Sequence, residues 1–199
     1  MKPGPRERLI DAAIRLVQER GVQGTGISDL LDRSSTARQS IYQHFPGGKD
    51  ELIAAATQVA GDRILAEIAA AAERGGPREA VSAALSRWEK TLSEHDFRLG
   101  CPIAAATVDG TTEPIRTAAL AAFESWTATY TAVLEHSGIA TAAARSLAGF
   151  VVTAIEGAVL HARATRSVHP LHDCRDQLDL LLVAQLTGVA QEDSPSAGQ

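Results

Sequence analysis

The stretch that most constrains this chain is SDLLDRSSTARQSIYQHFPGGK, residues 28–49. Leu30 and Leu31 mark the inward side of one short helix. A polar break, Arg33-Ser34-Ser35-Thr36, follows, and then a second helix from about Ala37 to Phe45. On that second helix Ile41 and Phe45 are four residues apart and share a face. Arg38, Gln39, Ser40, Gln43 and His44 therefore point elsewhere, and each can hydrogen-bond a base edge or a phosphate. Two short helices joined by a few residues, one of them polar outside its anchors, are what reading a DNA major groove requires.

Charge decides how far that expectation survives. The 199 residues carry a net charge of −5, which on its own argues weakly against a nucleic-acid partner. The distribution softens the objection: residues 1–60 hold eight Lys/Arg against seven Asp/Glu, and residues 61–199 hold eleven against seventeen. DNA binding needs a local basic footprint, which Arg6, Arg8, Arg38 and Lys49 could supply and dimerisation would double. No apolar stretch approaches the roughly 20 residues expected of a membrane span, and MKPGPRER lacks a hydrophobic signal core. Cys101 and Cys174 form no disulfide or metal pattern, so a reducing cytoplasm is expected.

Helical periodicity persists along the chain, and nowhere does a strand pattern. After a basic arm at residues 1–4, Pro5 suits a first helical turn, and Leu9, Ile10, Ala13, Ile14, Leu16 and Val17 recur at helical spacing until Gly21. A helix from Lys49 to about Arg74 meets Gly75-Gly76-Pro77, the strongest punctuation in the sequence, and another runs from Arg78 to about Glu94. A short apolar segment, residues 101–108, precedes a helix carrying Ile115, Ala119, Phe123, Trp126, Tyr130 and Val133. From Thr141 to about Thr165 the apolar residues go nearly all the way round, with Gly149, Thr153 and Gly157 as a line of small side chains. A last helix is expected over about Cys174–Thr187, and QEDSPSAGQ, residues 191–199, as a disordered tail.

Tyr42-Gln43-His44-Phe45 followed by Lys49-Asp50-Glu51-Leu52 resembles the TetR family of repressors, in which a Tyr-x-His-Phe segment ends the recognition helix. The longer form HFPGGK, residues 44–49, together with LGCPIAA at residues 99–105, is similar to the LmrA/YxaF-like branch. The resemblance is specific over about residues 5–60 and extends more weakly to about residue 187. It implies an all-α fold of about nine helices, with a three-helix helix-turn-helix domain over residues 5–50 and a helical ligand-binding and dimerisation domain over residues 51–190. Carried onto this sequence, it implies base-edge contacts from Arg38, Gln39, Ser40 and Gln43. Phosphate contacts would come from Thr25 or Ser28 at the start of the first reader helix, and from Tyr42, His44 and Lys49. Thr25 and Ser28 are also plausible N-caps of that helix. Two positions depart from the family: Ser35 and Gln39 stand where glycine is usual. Gln39 changes what the helix presents, so no relative's operator sequence transfers.

The second domain holds Trp88, Phe97, Phe123, Trp126, Tyr130 and Phe150 among many alanines, an arrangement that can leave a cavity between large flat side chains. Expected lining residues are Trp88, Cys101, Phe123, Trp126, Tyr130 and Phe150, with Glu156, His161 and Arg87 as polar groups. The last two long helices are expected to pair with their copies in a homodimer. His161, His169, His172 and Cys174 match no established ligand spacing, so neither metal nor cofactor is expected, and no nucleophile motif or phosphate-binding glycine loop marks an enzyme. The function that follows is a homodimeric repressor, bound to a pseudo-palindromic operator and released by a small, mainly hydrophobic ligand. Two alternatives stay open. One is a constitutive DNA-binding regulator without an inducer; the other is a helical ligand-binding protein or enzyme that has lost DNA binding.

Overall fold

The structure, a computed structural model, describes residues 3–192, and every regular element among them is a helix. In chain order these are α1 (Pro5–Arg20), α2 (Ile27–Ser34), α3 (Arg38–His44), α4 (Lys49–Glu94), α5 (Pro102–Asp109), α6 (Glu113–His136), α7 (Thr141–Thr165) and α8 (His169–Glu192). The described residues thus form eight helices where about nine are expected, because α4 absorbs two. Its backbone leaves helical geometry only at Gly75 (φ −158°) and Gly76 (φ +69°), directly before Pro77. Gly76 adopts a conformation that costs any other residue steric strain. The Gly-Gly-Pro signal therefore marks a kink at which two successive helices meet. α8 starts at His169, ahead of the expected Cys174, with Pro170 in its first turn where a missing N–H loses no bond. Residues 191 and 192 still belong to α8. The rest of the expected tail, and the first two residues of the expected arm, lie outside the described residues.

The chain divides into two compact units, residues 1–65 with 94–124, and residues 66–93 with 125–199. The first unit thus takes in α5 and the first half of α6 together with the helix-turn-helix. Both α4 and α6 contribute to both units.

In the first unit α1 is the hub, packing against α2, α3 and α5. Its Leu9, Ala13, Leu16 and Val17 are all buried, as their spacing predicts. Gly61 lets α4 run close to α6, since a Cβ there would fall 2.8 Å from the Ala122 Cβ. The α1–α2 turn is held from a distance by the end of α5. Asp109 Oδ2 accepts the Gln23 backbone N–H at 2.8 Å, and Gln23 Nε2 donates to the Asp109 carbonyl at 3.2 Å. Gly21 (φ +74°) is needed there twice over, because a Cβ would also stand 2.6 Å from that carboxylate oxygen.

In the second unit α7 packs on α8, burying Ala144, Leu147, Ala148, Val151, Ile155, Ala158, Val159 and Ala162. The part of α4 beyond the kink is tied to α8 through Arg78 and Asp179 (2.6 and 2.9 Å), and through Glu89, which meets His172 at 3.1 Å and Arg175 at 3.3 Å. The His172 hydrogen bond holds the Glu89 carboxyl below its ordinary range, with Arg175 acting in the same direction and burial opposing both. By length and composition α7 could cross a membrane, contrary to the expectation that no stretch would, yet 44% of its most apolar window is buried inside the protein.

The turn between α2 and α3 places a side chain where glycine is favoured. Ser35 ends α2 in the left-handed region, φ 51° and ψ 48°, a conformation that costs a residue with a Cβ about 1 kcal/mol relative to glycine. Ser35→Gly should raise stability by about 0.5–1 kcal/mol, read as a higher urea midpoint with unchanged slope. An unchanged or lower midpoint would mean that the serine compensates for its backbone.

Candidate nucleic-acid interface

A seven-residue helix has no stability of its own in water, so α3 exists because the protein holds it. Ile41 (0% exposed) and Phe45 (1%) are the anchors, and the Arg6 guanidinium lies 5.4 Å over the Phe45 ring. The rest of the helix faces outward. Arg38, Gln39 and Gln43 are exposed, Ser40 and His44 half-buried. None of these five side chains makes a hydrogen bond or ion pair among the described residues. α3 therefore presents donors and acceptors that the chain itself does not use.

The next turn continues that surface. Tyr42 is 47% exposed and its ring lies against Gly48, where a Cβ would meet a ring carbon at 3.6 Å. Gly48 (φ +73°) caps α4, and Glu51 accepts the Gly47 N–H at 2.6 Å. Lys49 is the first residue of α4 and has no carboxylate partner among the described residues. A cation at the positive end of a helix dipole is slightly unfavourable until an anion meets it.

The α2 end differs from expectation. Its N-cap is Gly26, without a side-chain hydrogen bond, so neither Thr25 nor Ser28 caps the helix. Thr25 is 0% exposed and its hydroxyl donates to the Gly21 carbonyl at 2.7 Å. It braces the turn, and as a phosphate contact it is corrected by its burial. Ser28, in the first turn, is exposed. Arg8 is likewise committed: its Nε donates to the Ser34 carbonyl at 3.0 Å and its Nη1 to the Pro3 carbonyl at 3.0 Å. Asp109 is the positioning residue that sequence reasoning missed. Nothing local to Asp109 signals a partner 86 residues away.

The expected ligand-lining residues are divided between the two units. Cys101 and Phe123 fall in the first unit, the others in the second. Within the second unit Trp88, Trp126 and Tyr130 are buried, each 2–3% exposed. The Tyr130 hydroxyl donates to the Ala80 carbonyl at 3.5 Å, and burial pushes its pKa up, against a smaller opposing effect of Arg87. Arg87 lies 4.5 Å over the Trp88 ring and pairs with Glu67 at 3.0 Å. Phe150 (54% exposed) and His161 are exposed on α7, and Glu156 is half-buried on the same helix. Among the described residues no three His, Cys, Asp or Glu side chains come together as metal ligands would.

The comparisons agree with this geometry. Residues 9–56 match the bacterial regulatory proteins of the tetR family, and residues 77–177 match the C-terminal domain of LmrA/YxaF-like transcriptional regulators. An uncharacterized HTH-type transcriptional regulator of Mycobacterium tuberculosis is 37% identical over 190 residues, covering 92% of this chain and 96% of its own. The HTH-type transcriptional regulator LmrA of Bacillus subtilis is 31% identical, over 83% of this chain and 90% of its own. In fold, a TetR transcriptional regulator from Legionella pneumophila superposes with a TM-score of 0.80 at 22% identity, over 91% and 99% of the two chains. With a helix-turn-helix whose outward face is polar and unpaired, and relatives matched over nearly its full length, the chain belongs to the TetR family of transcriptional regulators, in the LmrA/YxaF-like branch.

Proposed function

We propose that this regulator is a homodimeric repressor that reads a pseudo-palindromic operator with α3 and leaves it when a small, mainly hydrophobic ligand occupies the second unit. The observation that carries the reading is the division of α3 into two buried apolar anchors and five polar side chains without partners. Arg38, Gln39, Ser40 and Gln43 are assigned to base edges; Ser28, Tyr42, His44 and Lys49 to phosphate. In a two-fold dimer the two readers would enter successive major grooves, about 34–36 Å apart. The setting is cytoplasmic, where the operator is.

Selection of bound sequences from random duplex DNA should recover a palindrome. On that DNA Lys49→Ala should weaken binding to all sequences alike and flatten the salt slope by about one counterion per protomer. Gln39→Ala should instead relax preference at particular base pairs, by about 1–3 kcal/mol each. Equal loss of specificity from both substitutions would overturn the division of labour.

The dimer is assigned to α7 and α8. Phe150, Leu160, Leu180 and Val183 are exposed on these two helices, and a Cβ at Gly149 or Gly157 would meet nothing. Thr153, exposed on the same line, supports a direct test. Thr153→Arg should leave helix content unchanged, convert the dimer to a monomer in sedimentation, and weaken operator binding at least tenfold. A variant that remains dimeric would move the interface elsewhere.

For the ligand, the favoured site is the region of Arg87, Trp88 and Tyr130, with Trp126 one turn before Tyr130 on α6. The chain contains only two tryptophans, Trp88 and Trp126, so tryptophan fluorescence, excited selectively over tyrosine, reports on this region. A compound that dissociates the operator complex should quench that fluorescence saturably, at the concentrations that release DNA. A ligand can shift the DNA-binding equilibrium only through its different affinity for the two states. Release without a fluorescence change would place the ligand outside this region. A hydrophobic library with no releasing compound would favour a constitutive regulator.

A further inference from the structure

On the first unit an open groove of about 450 Å³ is lined by Arg8, Arg15, Arg33 and Arg63, with Asp11 and Gln18 among the other side chains. Arginines of α1, α2 and α4 line a volume of the size that holds small molecules. Two acids offset part of the charge. Arg33 is bidentate to Glu19, at 2.7 and 3.0 Å, and Arg63 reaches Asp11 at 2.8 Å. Arg8 makes no ion pair among the described residues, whereas Arg15 lies near enough to Glu19 to help hold that carboxyl below its ordinary range. Arg8 is satisfied by carbonyls, and Arg15 donates to the ring Nε2 of His95 at 2.9 Å, which requires that nitrogen to be unprotonated. These bonds leave Nη2 of Arg8 and both Nε and Nη1 of Arg15 unused among the described residues. Arg8 and Arg15 are half-buried residues whose spare N–H groups keep contact with solvent in the groove. Such groups favour an oxyanion, and the planar fork of arginine matches carboxylate or phosphate oxygens in pairs.

We propose that this groove is a second ligand site of the regulator, for a small multiply charged oxyanion bearing two or more carboxylate or phosphate groups. Position argues against the DNA backbone as its occupant. Arg63 stands fourteen residues beyond Lys49 on α4, about 21 Å along the helix axis from the end assigned to phosphate. A bound anion would bridge Arg15 of α1 and Arg63 of α4, and compete with Asp11 and Glu19 for the cations they hold.

Titration calorimetry of the full chain with citrate and with pyrophosphate, at constant ionic strength, tests this. Saturable binding of at least one of the two is expected, weakened at least tenfold in Arg15→Gln and in Arg63→Gln. Arg63 and Asp11 form an exposed pair, so Arg63→Gln keeps the test meaningful if Arg15→Gln fails to fold. Both variants should keep the operator affinity and salt slope of the parent, and Lys49→Ala should bind the anion as the parent does. Absence of saturable binding, or equal binding by the parent and both arginine variants, would overturn the proposal. Loss of anion binding in Lys49→Ala would place the anion on the DNA surface and also overturn it. A flatter salt slope for operator binding in Arg63→Gln would do so as well, because the groove would then be a DNA contact.

Discussion

The packing of Ile41 and Phe45 is the constraint on which the rest depends. A helix of seven residues makes too few internal hydrogen bonds to offset the cost of its own nucleation. Burying two large apolar side chains contributes about 1.5–3 kcal/mol apiece, enough to hold such a helix in place. Concentrating that stability on one edge leaves the remaining side chains with no structural duty. The chemistry available to a partner is therefore a consequence of how economically α3 is anchored. It also explains why α1 is so apolar on its inner side, since α1 is the surface that α2, α3 and α5 share.

The turns around that anchor are over-determined. Before α2, Gly21 adopts a backbone that disfavours other residues, Thr25 turns its hydroxyl inward to the Gly21 carbonyl, and Asp109 grips Gln23 from the end of α5. After α2, Ser35 accepts a left-handed conformation that glycine would adopt at less cost. Asp109 lies four residues before α6, and α6 passes from the first unit into the second. The residue that fixes the reader's first turn is thus close in sequence to an element shared with the second unit. That gives a proposed ligand response a second covalent route besides α4.

Most of the helical plan was legible because helices are local. Periodic apolar residues, Pro5 at a start, Gly21 at a stop and Gly-Gly-Pro at a kink each act within a few residues. The anchors Ile41 and Phe45 were legible for the same reason, and so was the outward set on α3. What local pattern could not reveal was the distant partner. Arg63 finds Asp11 across 52 residues and Gln23 finds Asp109 across 86, and such contacts leave no mark on spacing. Thr25 misled because a hydroxyl before a helix suits capping, phosphate binding and turn bracing equally well. The aromatic residues misled in another way: composition located them in the right region but could not say that Phe150 faces outward while Trp126 and Tyr130 face in.

Helix α7 shows why that last ambiguity is physical. Its apolar residues surround the axis, yet the buried ones lie on the side toward α8 and the interior, leaving Phe150 and Leu160 in the open. Gly149 and Gly157 each weaken a helix by about 1 kcal/mol relative to alanine, and nothing within the chain crowds the place where their Cβ atoms would be. A single copy of the protein therefore explains half of this helix. The other half makes sense against a surface of matching relief, with large side chains beside a line of small ones. In the proposed dimer a second copy of the same face, related by a two-fold axis, would supply that relief without any new sequence. On this reading the hydrophobicity that makes α7 resemble a membrane span is the sum of two packed faces, one within the protomer and one between protomers.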